Sequence, residues 1–417
     1  MPTTDLGACE WFAWDMRRSN LIARDRLDAV VAEFMAGHPG AEPPALADYL
    51  VAKGLLTPFQ AGRLLQGKTE GFVLGPFTLV DALGTGSMGA VYKAVSKTDA
   101  KPYAVKILPR RSMWNMRLAR RKVRAFEQCG HPAVVPFADA GTSGGMHYLA
   151  WPLIEGESLD KLVERHGKLD AGRAADLGAQ AAEGLDACHK QGLFHGLLKP
   201  SNLMVGPDGS VRILDLGIGS LLAETADESL VDTMSTANSV NSGLDCASPE
   251  SITDPTKLTP LGDQYSLGCV LYYCLTGQYP FPGGTAVEKM VGHQHKQPPP
   301  IKSLTADAPD GLAAVVERLM TKAPAERYAT AADAAEALRP FAVRPKSVVP
   351  PVAAPTSEPA PPEKPRRTAA PAVRTTPTAP PKRPRGRRRL LAVGVALCAV
   401  GVALCIVLAA LLANFYF

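Results

Sequence analysis

The sequence lacks two features that are typical of secreted proteins: closely spaced cysteine pairs and an apolar N-terminal leader. Its eight cysteines are scattered, with no C-x-x-C spacing and no paired spacing with histidine. This distribution excludes a compact disulfide framework and a zinc module, and it favours free thiols in a reducing compartment. Charged residues between Glu10 and Arg18 interrupt any apolar run near the start, so no secretory signal peptide is predicted.

Acidic residues are scarce between positions 341 and 389. This stretch holds twelve Lys and Arg but only two Glu, a local balance of +10, whereas the whole chain carries +5. The rest of the chain is therefore near −5 (+5 minus +10), and the overall basic charge implies no nucleic-acid partner. Thirteen of these residues are proline. The stretch therefore cannot bury a core and is predicted to be an extended, basic, disordered linker.

Charge is absent altogether from Leu390–Ala413. These 24 residues, at about 1.5 Å each, would span roughly 36 Å, which is enough to cross a bilayer. The Lys- and Arg-rich stretch before them sets the orientation, because such residues stay on the cytoplasmic side. The sequence thus predicts a single transmembrane helix that holds the preceding domains at the cell membrane, facing the cytoplasm.

The first 72 residues have the periodicity of helices. Apolar residues between Leu27 and Phe34 recur on one helical face, and a second helix is predicted over Ala45–Lys53. A third helix has a clear start signal, with Thr57 at the N-cap and Gln60 three residues later completing a capping box. We interpret this region, residues 1–72, as a helical module for docking or packing.

The pattern then changes to that of strands. Phe77–Leu83 is predicted to be a strand, and the glycine-rich stretch 84–89, G-T-G-S-M-G, follows it. A lone G-x-G-x-x-G is also typical of dinucleotide sites, where it opens a helix. Here it leads into Val91 and a second strand, as a hairpin that covers phosphates would. A third strand, Tyr103–Ile107, carries Lys106 at the position of a phosphate-binding lysine.

Further motifs follow in a fixed order. They are His195–Asn202 (H-G-L-L-K-P-S-N), Asp215–Gly217 (D-L-G), Ser248–Glu250 (S-P-E), Asp263–Gly268 and Pro324–Tyr328. On these motifs the sequence resembles the bacterial Hanks-type serine/threonine protein kinases over Phe77–Pro340. The resemblance implies an α+β, bilobal, protein-kinase-like fold, with a small antiparallel β lobe over residues 77–151 and a larger helical lobe over residues 155–340. It also implies an ion pair between Arg327 and Glu250.

The resemblance implies roles for individual residues in holding ATP and Mg²⁺. Lys199 would neutralise the transferring phosphate, while Asp215 and Asn202 would bind the metal ions. These three are the predicted catalytic residues. Trp151 would lie at the gatekeeper position behind the adenine site. The residues predicted to contact ATP are Leu83, Gly84, Gly86, Ser87, Gly89, Val91, Ala104, Lys106, Pro152, Ile154 and Ser158.

Four positions depart from the family pattern, and all four serve phosphotransfer. The catalytic base is replaced by Leu197, which cannot accept a proton, and the arginine beside it by Gly196. The threonine that contacts the base is replaced by Gly243. The glutamate expected to pair with the phosphate-binding lysine aligns with Lys122, with Glu127 as the alternative. That lysine is therefore expected to be unanchored.

These departures predict a pseudokinase that keeps affinity for ATP and Mg²⁺ but signals through protein partners in the cytoplasm, among them a partner kinase that phosphorylates its activation-loop hydroxyls. Two other interpretations stay open. The first is an active serine/threonine kinase of reduced rate, because a general base contributes about 10²–10⁴-fold and not the whole rate. The second is a scaffold that binds no nucleotide. His293 and His295 are interpreted as surface residues, not as metal ligands.

Overall fold

The computed structural model describes residues 6–86, 89–108, 120–121, 124–218 and 243–344. Its helices are α1 (Glu10–Ser19), α2 (Arg24–Gly37), α3 (Pro43–Ala52), α4 (Pro58–Leu65), α5 (Leu159–His166), α6 (Ala171–His189), α7 (Pro249–Thr253), α8 (Pro260–Thr276), α9 (Ala286–His295), α10 (Ile301–Leu304), α11 (Asp310–Leu319) and α12 (Ala331–Leu338). Its strands are β1 (Val73–Leu74), β2 (Phe77–Gly86), β3 (Gly89–Ser96), β4 (Pro102–Ile107), β5 (Asp139–Ser143), β6 (Met146–Pro152), β7 (Glu157–Ser158), β8 (Leu203–Val205) and β9 (Val211–Ile213).

Helices α1–α4 form an N-terminal unit with its own core. Phe12, Leu27, Leu46 and Leu64, one from each helix, are all 0% exposed. The helix predicted around Leu27 is confirmed as α2, and the second predicted helix is confirmed as α3. This helix begins at Pro43, two residues before the predicted start, because proline is tolerated in the first turn of a helix. Helix α1 was not predicted from the sequence.

The small lobe is built on a six-stranded antiparallel sheet in the order β1-β2-β3-β4-β6-β5, as the sequence predicted. The register pairs Val91 with Lys106 and Lys106 with Leu149. Directly opposed residues project to the same face of a sheet, so these three side chains share one face. The opposite face carries Val105 and Ala150, both 0% exposed, and packs together with Phe59 of helix α4.

The larger lobe is organised around helix α8. Its residues 263–275 are all buried, as expected for a helix that is surrounded on every side. Thr259 caps its start by accepting the Gly262 N–H at 3.0 Å, and Gly277 ends it in the left-handed region with φ of 74°. Helices α6, α11 and α12 pack around it, which confirms the helical character predicted for this lobe.

Two long-range predictions have opposite outcomes in this lobe. The ion pair of Arg327 with Glu250 is confirmed, because two guanidinium nitrogens lie 2.6 and 3.0 Å from the two carboxylate oxygens. The interpretation of His293 as a surface residue is wrong. It is 0% exposed, its Nδ1 lies 3.0 Å from the Tyr265 hydroxyl, and its ring contacts Phe281 edge-on.

The linker was predicted to begin at residue 341, but residues 341–344 still pack on the large lobe: Phe341 contacts its core, and the Val343 N–H donates to the Gly172 carbonyl at 2.9 Å. The rest of the predicted linker, from residue 345, and the predicted transmembrane helix at 390–413 lie outside the described residues. Among the residues that are described, no helix is both long and apolar enough to cross a membrane.

Candidate nucleotide-binding site

The glycine hairpin and the strands beside it carry the first eight predicted ATP contacts, and three of these, Val91, Ala104 and Lys106, share one face of the sheet. Gly84 and Gly86 end β2, Gly89 opens β3, and Ser87 lies outside the described residues. Val91 and Ala104 are half-buried on the face that carries Lys106. Leu83, at an irregularity in β2, is 41% exposed, so an apolar side chain stands open beside the hairpin and could cover a flat, apolar ring.

The connection between the lobes follows strand β6. Pro152 is the last residue of that strand, Ile154 lies just beyond it, and Ser158 precedes helix α5. All three are half-buried. Trp151 is 6% exposed and packs edge-on against Phe137, with ring centroids 5.8 Å apart. The predicted gatekeeper tryptophan is therefore a core residue at the junction of the two lobes.

Lys106 forms an ion pair with Asp215. Their side chains are 6% and 19% exposed, so the pair is largely shielded from water and from screening ions. The expectation that Lys106 would be unanchored is therefore wrong. Asp215 holds this position with a left-handed backbone, φ of 57°, which is uncommon outside glycine and is found where surrounding contacts fix the backbone.

A buried carboxylate, that of Asp263, holds the segment that carries the predicted catalytic residues. Its Oδ2 accepts the His195 N–H at 2.8 Å and lies 2.9 Å from His189 Nε2, while its Oδ1 accepts the Gly196 N–H at 2.8 Å. Asp263 is 1% exposed. Burial by itself would raise the pKa of this carboxyl, but the hydrogen bond and charge of His189 hold the pKa below its usual range.

The tautomer of His195 follows from its two partners. Its Nε2 lies 3.0 Å from the Leu214 carbonyl, which can only accept, and its Nδ1 lies 3.2 Å from the Leu197 N–H, which can only donate. The ring is therefore neutral, with the proton on Nε2. Complete burial lowers the pKa of His195, because a charged ring would lose its hydration there. This ring joins the catalytic stretch to the strand that leads to Asp215.

Asn202 and Lys199 lie on the same stretch. Asn202 is 6% exposed and donates from Nδ2 to the Leu197 carbonyl at 2.9 Å, which fixes the plane of its amide. A cation there would be bound by the amide oxygen, since the amide nitrogen has no lone pair to offer. Burial and the nearby charge of Lys106 lower the pKa of Lys199, while Asp215 opposes the shift. The two lysines and the aspartate thus form one electrostatic group.

Leu197, at the position of the catalytic base, is in an apolar environment. It packs against a cluster of buried residues from both lobes: Leu108, Val135, Phe137, Ala140, Leu149, Trp151 and Ile218. Leu197 itself is half-buried, and the apolar side chains on its buried side offer a charged group no hydrogen-bond partners. The substitution therefore places an apolar side chain in an apolar setting.

Gly196 shows that the neighbouring position has also been rebuilt. Its backbone has φ of 71°, and a Cβ placed on it would lie 2.6 Å from the side chain of Leu258. A side chain at this position meets both left-handed strain and a filled space. The arginine expected here by resemblance is absent, and a larger residue would require the end of the Leu258 side chain to move.

The remaining departures are only partly described. Lys122 lies outside the described residues. Glu127, the alternative partner for the phosphate-binding lysine, is exposed on a 3-10 turn, whereas Lys106 is buried and pairs with Asp215. Gly243 begins the described part of the segment that leads to the S-P-E motif.

Sequence reasoning missed a second buried ion pair, between Asp245 and Lys289 of helix α9. Their side chains are 10% and 9% exposed, so the pair fixes the segment after Gly243 to that helix. No local pattern marks it, because the two residues are 44 positions apart and neither belongs to a recognisable motif. His189, which shares the buried carboxylate of Asp263, was missed for the same reason.

The order of the motifs, and the grouping of Lys106, Lys199 and Asp215, agree with the comparison of the whole sequence with known families. The protein kinase domain matches residues 77–339. The chain belongs to the protein kinase family. Its relatives are bacterial serine/threonine kinases of the Hanks type, which confirms the resemblance on which the sequence interpretation was based.

Three relatives illustrate the match. A probable serine/threonine-protein kinase of Clostridium perfringens is 33% identical over 265 residues, which covers 63% of this chain and 38% of the relative. PknH of Mycobacterium tuberculosis is 33% identical over 274 residues, covering 65% and 42%. PknB of Mycolicibacterium smegmatis is 32% identical over 265 residues, covering 62% and 41%. The chain thus aligns with about two fifths of the length of these relatives.

Protein kinases generally use ATP and Mg²⁺, and the residues at this site fit that pair. Cationic groups for phosphates are present at Lys106 and Lys199, and oxygen ligands for a hard cation at Asp215 and Asn202. An exposed apolar side chain, Leu83, stands at the hairpin.

Proposed function

We propose that this kinase binds Mg-ATP and acts by binding protein partners, with phosphotransfer lost or strongly impaired. The observation that carries the proposal is the contrast within one stretch of chain. Lys199 forms one electrostatic group with Lys106 and Asp215, and Asn202 lies on the same stretch with its amide fixed, whereas Leu197 packs against apolar residues. Bound Mg²⁺ would neutralise phosphate charge, and Asp215 and Asn202 are the residues that would hold it.

The loss of the base alone does not abolish a kinase, because much of phosphoryl transfer is positioning and charge neutralisation. A second loss supports the proposal. Gly196 lacks the arginine side chain that normally pairs with a phosphorylated activation loop, and a Cβ added there would already meet the end of the Leu258 side chain. Two neighbouring positions that serve the same step are therefore altered.

We also propose that residues 390–413 anchor the kinase in the cell membrane, with residues 1–340 in the cytoplasm. The support is the uncharged run itself and the basic stretch before it. Partners would then be cytoplasmic proteins, including a kinase that acts on the hydroxyls between Thr225 and Ser239. An acidic, not basic, soluble part gives no support for a nucleic-acid partner.

The second candidate function is a serine/threonine kinase of reduced rate. The observation in its favour is that the charged groups for nucleotide and metal are all kept, with Lys106 paired to Asp215. The names of its relatives, all serine/threonine kinases, point the same way. A third candidate, a scaffold that binds no nucleotide, is disfavoured by the same ion pair, because a buried pair that serves no ligand could be replaced by apolar residues without loss of stability.

Two measurements on the purified chain separate these candidates. Mg-ATP at 100 times its Kd would stabilise a binding protein by about 2.7 kcal/mol, which a thermal shift detects; a scaffold gives none. Single-turnover phosphotransfer to a protein substrate then distinguishes the first two. Robust, metal-dependent transfer that disappears in Lys106→Ala would overturn the proposal.

The variant Leu197→Asp supplies the matched test of the base. If only the base had been lost, the single-turnover rate would rise by about 10²–10⁴-fold. We expect a smaller gain, because the arginine beside the base is absent as well. Asp215→Asn serves as the control for metal binding, and it should remove the thermal shift with Mg-ATP.

A further inference from the structure

The N-terminal unit covers the edge of strand β2 that faces away from β3. Strand β1 pairs Val73 with Thr78 and Leu74 with Phe77. The Leu79 N–H donates to the Phe72 carbonyl at 2.8 Å and extends this cover by one more bond. An edge strand left bare presents a row of unpaired N–H and C=O groups. The sheet is thus continued as far as Leu79 by Phe72 and strand β1, which directly follow the helices of the N-terminal unit.

Beyond this point strand β2 becomes irregular. Its register against β3 shifts between Leu79 and Asp81, and again between Ala82 and Gly84. A bulge leaves a residue unpaired in the ladder and bends the strand locally. Two such irregularities therefore lie directly before the glycine hairpin, and the first decides the direction in which the strand reaches it.

The capping box of helix α4 binds the first irregularity. Thr57 Oγ1 donates to the Val80 carbonyl at 2.7 Å, and Gln60 Nε2 donates to the Leu79 carbonyl at 2.7 Å. The same side chains cap the helix, because Thr57 Oγ1 accepts the Gln60 N–H at 3.2 Å and Gln60 Oε1 accepts the Thr57 N–H at 2.9 Å. Every polar atom of both side chains makes a hydrogen bond, and Gln60 is 5% exposed.

An aromatic contact ties the same turn of helix to the returning strand. Phe59, between the two capping residues, lies 5.7 Å from the ring of Tyr92, centroid to centroid. Tyr92 of strand β3 is paired with Ala82, the residue before Leu83. Helix α4 therefore contacts the strand that leads into the glycine hairpin and the strand that leaves it.

We infer that Thr57 and Gln60 are positioning residues for nucleotide binding. By holding two carbonyls of the irregular segment, they fix the register at which strand β2 presents Leu83 and Gly84 to the nucleotide. Register matters because a slip of one residue turns every side chain of a strand to the other face. The inference rests on the proposed binding of Mg-ATP, and it makes the N-terminal unit a working part of the nucleotide site.

The variant Gln60→Glu removes the hydrogen bond to strand β2 but keeps the capping box of helix α4. Glutamate is a natural third residue of a capping box and still accepts the Thr57 N–H, but its carboxylate cannot donate to the Leu79 carbonyl. In the full chain at pH 8 we expect the Kd for Mg-ATP to rise at least about fivefold, the lower end of usual couplings between sites. Amide hydrogen exchange should accelerate over residues 79–86 without nucleotide. Titration calorimetry and exchange mass spectrometry measure the two effects.

Three further variants make the test specific. Thr57→Asp keeps a good N-cap but cannot donate to the Val80 carbonyl, so it should act like Gln60→Glu and replaces it if that variant does not fold. Thr57→Ser keeps the hydroxyl and should leave the Kd within about twofold of the original value. Glu288→Gln changes the equivalent residue of the capping box on helix α9 in the large lobe, and it should change neither measurement.

The outcomes separate this inference from the proposed function. An unchanged Kd in folded Gln60→Glu or Thr57→Asp overturns the inference while Mg-ATP binding stands. If the unaltered chain binds no Mg-ATP, the proposed function fails, and the positioning role fails with it. This holds even if the exchange rates over residues 79–86 show that Thr57 and Gln60 stabilise strand β2. A fivefold loss of affinity that is absent from Thr57→Ser and Glu288→Gln supports the inference.

Discussion

Asp263→Asn tests whether one buried carboxylate holds the predicted catalytic stretch in place. The carboxylate accepts three donors, two at Oδ2 (from His195 and His189) and one at Oδ1 (from Gly196). Asparagine has nearly the same shape but only one oxygen. The asparagine amide loses fewer hydrogen bonds when its oxygen takes the place of Oδ2 and keeps the two bonds there. Its NH₂ group then faces the Gly196 N–H, so that two buried donors oppose each other.

The size of the effect follows from that count. Hydrogen bonds to charged groups contribute about 1.5–3 kcal/mol, and a buried donor left without an acceptor costs about 1–3 kcal/mol. The two surviving hydrogen bonds are also weaker because their acceptor is no longer charged. Removing a buried charge, however, stabilises the fold and offsets part of this loss. We therefore expect the free energy of unfolding to fall by about 2–4 kcal/mol, a large share of the roughly 5–15 kcal/mol that domains have.

Urea unfolding measures this change. With an m-value of about 3 kcal/mol/M, the midpoint should fall by on the order of 1 M. Asp310→Asn is the control, because it makes the same chemical change at a carboxylate that pairs with Lys302 on the surface and is 89% exposed. Such pairs contribute about 0–1 kcal/mol. A midpoint for Asp263→Asn no lower than that of the control would refute the anchoring role.

Three further predictions follow from buried groups. Burial lowers the pKa of His195 from its usual 6.5. The neutral ring therefore stabilises the fold fully above pH 6.5, and this stabilisation is lost as the pH falls below that value. The urea midpoint should accordingly decrease from pH 7.5 to 6.5 and again to 5.5. Lys289→Met should lower the free energy of unfolding by about 3–5 kcal/mol, because it leaves Asp245 buried without its cation. Adding Asp245→Leu to that variant should restore most of the lost urea midpoint. Gly196→Ala should cost about 1–3 kcal/mol through left-handed strain and the Leu258 contact, and calorimetry should show that Leu258→Ala recovers only the steric part.

Local sequence patterns were sufficient to predict several helices and strands of this chain. The capping box of Thr57 and Gln60 was predicted because its hydrogen bonds join residues three positions apart. The hairpin strands were predicted because a glycine-rich turn between apolar segments favours pairing of neighbours. The order of the family motifs then implied the arrangement of Lys106, Asp215 and Asn202, since a known fold brings together residues that are far apart in the chain.

Other features were decided by tertiary structure, because they depend on which surfaces meet. The burial of His293 follows from the packing of helix α9 against Tyr265 and Phe281, and nothing in its own neighbourhood distinguishes it from the exposed His295. The pairing of Lys106 with Asp215 joins residues 109 positions apart, and it anchors a lysine that the sequence predicted to be unanchored.

The attachment of the N-terminal unit is the clearest case. Thr57 and Gln60 were predicted to cap a helix, and they do. That the same side chains also bind the carbonyls of Leu79 and Val80 could not be predicted, because a donor within a capping box has no preference for a particular strand until the helix is docked. The sequence by itself determined which residues could make hydrogen bonds, and the packing of helix against sheet determined which partners they found.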